Sequence, residues 1–305
     1  MNGMTPSSKP GLRTQWRALL LACVLALSAC GAVELAYSMA PRLAVEFADE
    51  YFYLNTRQES EALALFKARK AEHEVRELPL YYAFAERVEQ RFLAGLTPES
   101  LDASIDEGEQ LLRQGVRDTM PAIAEIMAGL DEDQRAYFVG KLEEKEQEYR
   151  ERIAEERSDK EREENEFEDM EEWIGELNEE QKRLIRSHVA RMHDNRPLWL
   201  AWRVARNDGL GQLLLDNAGQ QEIESFLKRS WVDRVDLPAE LAERSTHNRQ
   251  QSIEMILALQ ETLTDKQRDK VLKRIREARE LVLALMPAEV ERELLAVAVR
   301  KGDSQ

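Results

Sequence analysis

Two cysteines, four histidines and a surplus of carboxylates are the groups with which this 305-residue chain could do chemistry. The histidines are His73, His188, His193 and His247. His188 and His193 stand five residues apart, about 500° of helical rotation, so they do not share a face as an i, i+4 metal pair would. There is no His-Glu-x-x-His, no Cys-x-x-Cys and no glycine-rich loop between a strand and a helix. A serine nucleophile elbow is absent too, and it would need a sheet beneath it. With 59 Asp and Glu, neighbouring carboxylates occur everywhere and single out no acid–base couple. No catalytic residue, metal ligand or cofactor is expected, and the chain reads as non-enzymatic.

One thiol stands apart. Lys9, Arg13 and Arg17, with no acidic residue among them, precede the uncharged run from Ala18 to Leu27. Ten helical residues rise about 15 Å, half of a hydrocarbon core of roughly 30 Å, so the run is too short to span a bilayer. A basic start, a short apolar stretch and small residues at its end form a secretory signal. Leu27-Ser28-Ala29-Cys30 resembles a bacterial lipobox. The resemblance implies cleavage between Ala29 and Cys30 and a diacylglyceryl group on the Cys30 thiol, leaving Cys30 as the lipidated first residue. Gly31, where inner-membrane lipoproteins of enteric bacteria typically carry Asp, points to the outer membrane, facing the periplasm. Cys23 would leave with residues 1–29, so the remaining chain could form no internal disulfide, as suits an oxidising compartment.

The formal net charge is −16, and loss of three basic residues with the signal makes it more negative. Such a balance disfavours nucleic acid and anionic lipid as partners, since phosphate binding needs a basic surface. Membrane attachment must come from the lipid at Cys30, whose acyl chains contribute about 0.8 kcal/mol per buried CH₂. The remaining partner is an unknown protein.

Hydrophobic residues make up 43% of the chain, with only 13 Gly and 9 Pro, and Ala, Leu, Glu, Arg and Gln dominate. These are good helix formers, and β-branched runs are nearly absent. The expected fold is all-α, a multi-helix bundle with long charged central helices, anchored by an N-terminal lipid. Its segments are a signal peptide over 1–29, an N-terminal helical region over 30–129, a long charged helical segment over 130–196 and a C-terminal helical region over 197–305.

The first helix is expected from about Ala32, bent or restarted at Pro41. Thr56 reads as the next N-cap, with Glu59 completing a capping box. A helix from Thr97-Pro98 is predicted to stop near Gly115, with a short one between Pro121 and Gly129. Phe167, Met170, Ile174 and Leu177 form a 3-4-3 seam; Glu155 to Glu166 reads as a solvated charged stretch. The aromatic helix at Leu198-Trp199-Leu200-Ala201-Trp202 is predicted to close at Asn207-Asp208-Gly209. Val271, Ile275, Ala278, Val282 and Leu285 make the cleanest seam. Trp199 and Trp202 share a helix face, and they are expected in the core more than in an exposed groove.

One short pattern recurs: Leu96-Thr97-Pro98-Glu99-Ser100, Leu130-Asp131-Glu132-Asp133-Gln134, Leu177-Asn178-Glu179-Glu180-Gln181 and Leu263-Thr264-Asp265-Lys266-Gln267. It resembles the LTxxQ signature of small helical periplasmic chaperones of the Spy and CpxP type. Elementary capping chemistry accounts for it as well: Thr, Asp or Asn at N-cap with Gln at N3 is a capping box, and Pro98 suits N1. Thr97, Gln134, Gln181, Thr264 and Gln267 therefore mark helix starts. The copies stand 34, 47 and 86 residues apart, with no fixed period, which argues against a solenoid. A second resemblance rests on Leu35-Ala36-Tyr37, Asp49 to Leu54, Gln58-Glu59, His73, Arg76-Glu77-Leu78-Pro79, Tyr81 and Leu96-Thr97-Pro98. Together these resemble a proteobacterial lipoprotein family of unknown function, which implies an envelope lipoprotein and supplies no catalytic residue. Two functional expectations follow: a structural or protein-interaction lipoprotein, or a lipid-anchored chaperone or stress protein of the LTxxQ type.

Overall fold

The computed structural model describes residues 28–155 and 159–302. Among them the chain forms α-helices and no strand, as the dominance of good helix formers requires. The helices are α1 (Ser28–Phe52), α2 (Thr56–Arg76), α3 (Leu78–Ala94), α4 (Pro98–Ala128), α5 (Glu132–Glu155) and α6 (Asp159–Ile174). They continue as α7 (Glu179–Val189), α8 (Arg196–Leu215), α9 (Gln220–Leu227), α10 (Ala239–Thr262), α11 (Asp265–Ala284) and α12 (Ala288–Gly302). A single π turn, Lys228–Val232, extends α9. The expected signal segment lies outside the described residues up to residue 27, as do the side chains of Ala29 and Cys30. No described helix is long and apolar enough to cross a membrane.

The chain falls into two units, Met1–Ala40 and Pro41–Gln305. Of the first, only the opening of α1 is described. The second holds two apolar cores. The first core gathers Phe52, Leu54, Phe66, Leu130, Phe138 and Leu214; the second gathers Leu177, Ile185, Met255, Leu259, Val271 and Ile275. Full burial contributes about 1.5–3 kcal/mol per large apolar side chain, so these two clusters are the main stabilising element. The seam of α6 and its following loop feeds the second core through Ile174 and Leu177, with Phe167 and Met170 packed at its edge.

α1 continues through Pro41 without the restart that is one of the two expectations there. Two other helices pass their expected ends: α4 runs unbroken through both Gly115 and Pro121. Gly115 is a close-approach position, not a stop: a Cβ there would meet Glu77 Oε2 at 3.0 Å and the Tyr81 hydroxyl at 3.2 Å. Pro121 removes one donor from a 31-residue helix whose other bonds remain, and buried Ala124, Ile126 and Met127 hold its far end. α8 likewise continues past Asn207-Asp208-Gly209 to Leu215. Asn207 is used laterally there, donating its amide to buried Glu146 at 2.7 Å, and the Cβ that Gly209 lacks would strike the Phe226 ring at 2.9 Å.

Charged side chains tie helices across the surface. Glu89 of α3 accepts from Arg276 and Arg279 of α11, each at 2.6 Å, and Arg249 of α10 reaches Asp102 and Asp106 of α4. Arg69 and the buried Glu77 pair across the α2–α3 bend, where Glu77 is also hydrogen-bonded by Tyr81.

Candidate functional site

The recurrent five-residue pattern is where the chain's polar groups converge. Each copy opens a helix. Asp131 Oδ1 accepts from the Gln134 backbone N–H at 2.9 Å, while the Asp131 N–H donates to Gln134 Oε1. Asn178 with Gln181 and Thr264 with Gln267 repeat the arrangement. Thr97 caps α4 with Ser100 in the N3 place.

A further copy was hidden in the sequence reading. The cap of α2 is Asn55, not Thr56, and its N3 partner is Gln58, not Glu59. Thr56 is the first helical residue. The stretch Leu54-Asn55-Thr56-Arg57-Gln58 has the same Leu-x-x-x-Gln spacing with Asn at the cap, and that spacing was the signal that would have found it.

The four Gln-containing copies then join in twos. Gln58 and Gln134 exchange amides, with Nε2 to Oε1 distances of 2.9 and 2.8 Å. Gln181 and Gln267 do the same at 2.9 and 3.1 Å. Each glutamine also donates to the carbonyl of the residue just before its partner's motif. Gln58 reaches Gly129 at 3.0 Å and Gln134 reaches Tyr53 at 2.8 Å. Gln181 reaches Thr262 at 3.3 Å and Gln267 reaches Glu176 at 3.1 Å. A glutamine side chain has two N–H donors and two acceptor lone pairs. In each of these four, both donors are engaged across the corner, and the oxygen takes the cap N–H and the partner's amide. Each corner is therefore locally two-fold and fully satisfied, which is what burial of a polar pair demands.

The copy at Leu96 lacks the glutamine. Gln260 of α10 supplies one from outside: its Oε1 accepts from Leu96 N at 2.7 Å and its Nε2 donates to Leu96 O at 3.2 Å.

A second convergence was not foreseen. Arg206 of α8 packs against two indoles, its guanidinium carbon 3.8 Å from the Trp202 ring centre and 4.7 Å from that of Trp231. The stack continues through the edge-on Trp199–Trp202 contact, 5.3 Å between centres, to Arg234 over Trp199 at 5.5 Å. Trp202 is buried, as the expected core role would have it, yet it packs against a cation. Burial and the positive neighbours Arg234 and Arg203 push the Arg206 pKa down to about 10. Arg206 Nε is buried with no hydrogen-bond partner, and among the described residues neither Arg203 nor Arg206 forms an ion pair. Arg203 and Arg206 line an apolar cleft of about 640 Å³ walled by Phe47, Tyr51, Met120, Ile123 and Trp231.

The histidines serve separate places. His188 accepts on Nδ1 from Arg191 at 2.7 Å; burial first and the Arg191 charge second hold its pKa below the usual range. His193 stacks on His247 of α10, 4.8 Å between centres, not on His188. Among the described residues no group of three His, Cys, Asp or Glu is placed to hold a metal ion.

The molecule is thus an all-helical protein with two cores and self-paired glutamine corners. The model of a family of unknown function, DUF6279, matches residues 50–230, and the chain belongs to that family. The matched stretch includes the whole Gln58–Gln134 corner and the α8 tryptophans and arginines, while Gln267 and Trp231 lie beyond it. Neither a curated protein nor a solved structure matches the chain.

Proposed function

We propose that the chain is a lipid-anchored envelope lipoprotein, held at Cys30 in the outer membrane on its periplasmic side, that acts as a non-enzymatic structural or protein-interaction module. One observation supports this over a client-gripping role for the motifs: Gln58, Gln134, Gln181 and Gln267 are buried and face one another. Side chains engaged in this way organise the helices and present nothing to a partner. The strongly acidic surface and the lipobox at Leu27-Ser28-Ala29-Cys30 support lipid attachment over electrostatic attachment.

The recurrence of the motif favours a second reading, an LTxxQ-type chaperone or envelope-stress protein. Plain capping does not require two capping boxes to exchange amides, and here they do so twice.

Two measurements test the proposal. A fatty-acid analogue fed to cells should label the wild type and not Cys30→Ser, and the labelled protein should sediment with outer-membrane markers; equal label on both would end the anchoring claim. The full chain should leave aggregation of an unrelated denatured protein unchanged at near-stoichiometric ratio. Suppression would transfer the assignment to the chaperone reading.

A further inference from the structure

We infer that the cleft between α1, α4, α5 and α8 binds a single acyl chain ending in a carboxylate, with Arg206 holding the head and the aromatic and aliphatic walls holding the tail.

Two arginines stand together without a carboxylate partner among the described residues: Arg203 faces the Tyr149 ring, and Arg206 packs against Trp202 and Trp231 with its Nε buried and without a hydrogen-bond partner. Both line the same cleft. Both indoles pack against the Arg206 guanidinium, whose N–H donors lie along its edge. Of that edge, Nη1 has a long contact of 3.5 Å to the Ser230 carbonyl and Nε has none. A guanidinium edge with free donors fits the fork of a carboxylate, and a desolvated cation among cations gains most from an anion.

The walls decide what carries the carboxylate. The cleft volume, about 640 Å³, lies within the roughly 300–1,000 Å³ of small-molecule sites. Its lining is dominated by Ala, Phe, Met, Ile and Leu. Apart from the arginines, the polar groups of the lining are few: Asn207 donates to Glu146, the Thr119 hydroxyl donates to the Gly115 carbonyl, and the Tyr51 hydroxyl and Trp231 indole N–H complete the set. A peptide would bring more backbone N–H and C=O groups than such walls can partner, and burying them unpaired is costly. An alkyl chain brings none. Phe47, 64% exposed at the cleft, is an apolar surface that a tail would cover. The inference stands whether or not Cys30 carries lipid.

The test uses the full chain in the form recovered from cells, with carboxyl-¹³C decanoate as the probe and any membrane mimetic alone as reference. Saturable binding should shift the carboxyl resonance, and decanoate should displace an apolar peptide with a free C-terminus, which binds at least tenfold more weakly. Arg206→Gln should weaken decanoate at least tenfold and change decanol binding less than twofold. Phe47→Asp, at an exposed position that leaves folding intact, should weaken decanoate to a similar extent and serves if Arg206→Gln does not fold. No saturable shift over the reference, tighter binding of the peptide, or unchanged decanoate affinity in the folded variants would overturn the assignment.

Discussion

The two glutamine corners follow one rule in two settings. At the first, Gln58 and Gln134 lie beneath a core rich in aromatic rings, where Phe52 and Phe138 sit 5.1 Å apart, and the chain enters through Tyr53 at a positive φ of 51°. At the second, Gln181 and Gln267 meet over an aliphatic core, and the approach uses Gly175 at φ 89°. The amide exchange and the choice of carbonyl are the same at both. The core chemistry is therefore not what creates the corner. Five residues at each of two sites do so, and the surrounding side chains only set how completely water is excluded. Exclusion differs within the second corner more than between the two: Gln181 has 0% exposure and Gln267 7%, against 8% for Gln58 and 6% for Gln134.

Replacing Gln181 by Glu should show the largest effect. The variant keeps an acceptor for the cap N–H but loses the amide that donates to Thr262 and Gln267, and it buries a charge against two oxygens. The expected loss is about 3 kcal/mol, with Gln134→Glu lower at about 2 kcal/mol because that side chain is less completely buried than Gln181. Denaturant unfolding followed by circular dichroism measures both, and equal stability of Gln181→Glu and wild type would reduce the corners to simple caps.

A double-mutant cycle on Gln58→Leu and Gln134→Leu asks whether the two glutamines act as one unit. The expected coupling is about 1–2 kcal/mol, with additive losses counting against amide exchange. The caps come next. Asn55→Ala and Thr264→Ala should each cost about 1 kcal/mol. Thr56→Ala should stay within about 0.5 kcal/mol, as expected of a surface position away from any cap bond; a larger loss at Thr56 than at Asn55 would restore the sequence reading of that helix start.

The smallest effect concerns pH. His188 stays neutral in the folded state below its ordinary pKa, so the unfolded chain binds the proton first as pH falls. Stability at the second core should therefore decline as pH drops below about 6.5. His188→Gln should flatten that decline in amide hydrogen exchange of α7, leaving α5 beside the first corner unchanged. A decline of the same size in both forms would assign the pH response elsewhere.

The helical class was legible because it depends on composition and on spacing, which act locally. The caps at Asp131, Asn178 and Thr264 were legible for the same reason: a cap and its N3 partner lie three residues apart. Asn55 was not, because Thr56 beside it is an equally good capping residue and Glu59 an equally good partner. The pairing of Gln58 with Gln134 joins residues 76 positions apart, and nothing within either five-residue stretch names the other. Gly115 and Gly209 misled for a related reason. Glycine reads as a stop when only the chain neighbours are considered, whereas here Tyr81 and Phe226 come from other helices to fill the space. Arg206 escaped notice because its distinguishing property, a buried Nε on a guanidinium packed against two indoles, exists only once the chain has folded.

The two-fold character of the corners has a consequence for how such a chain can change length. Each corner reads only the five-residue motif and the carbonyl just before it at either end of the stretch it closes, and those stretches already differ, 76 residues between Gln58 and Gln134 and 86 between Gln181 and Gln267. A stretch so fastened works like a strap with a fixed buckle. Whole helical turns can enter or leave it without altering the fastening, provided both ends return in register, so the corners conserve connectivity while the arms between them remain free to grow.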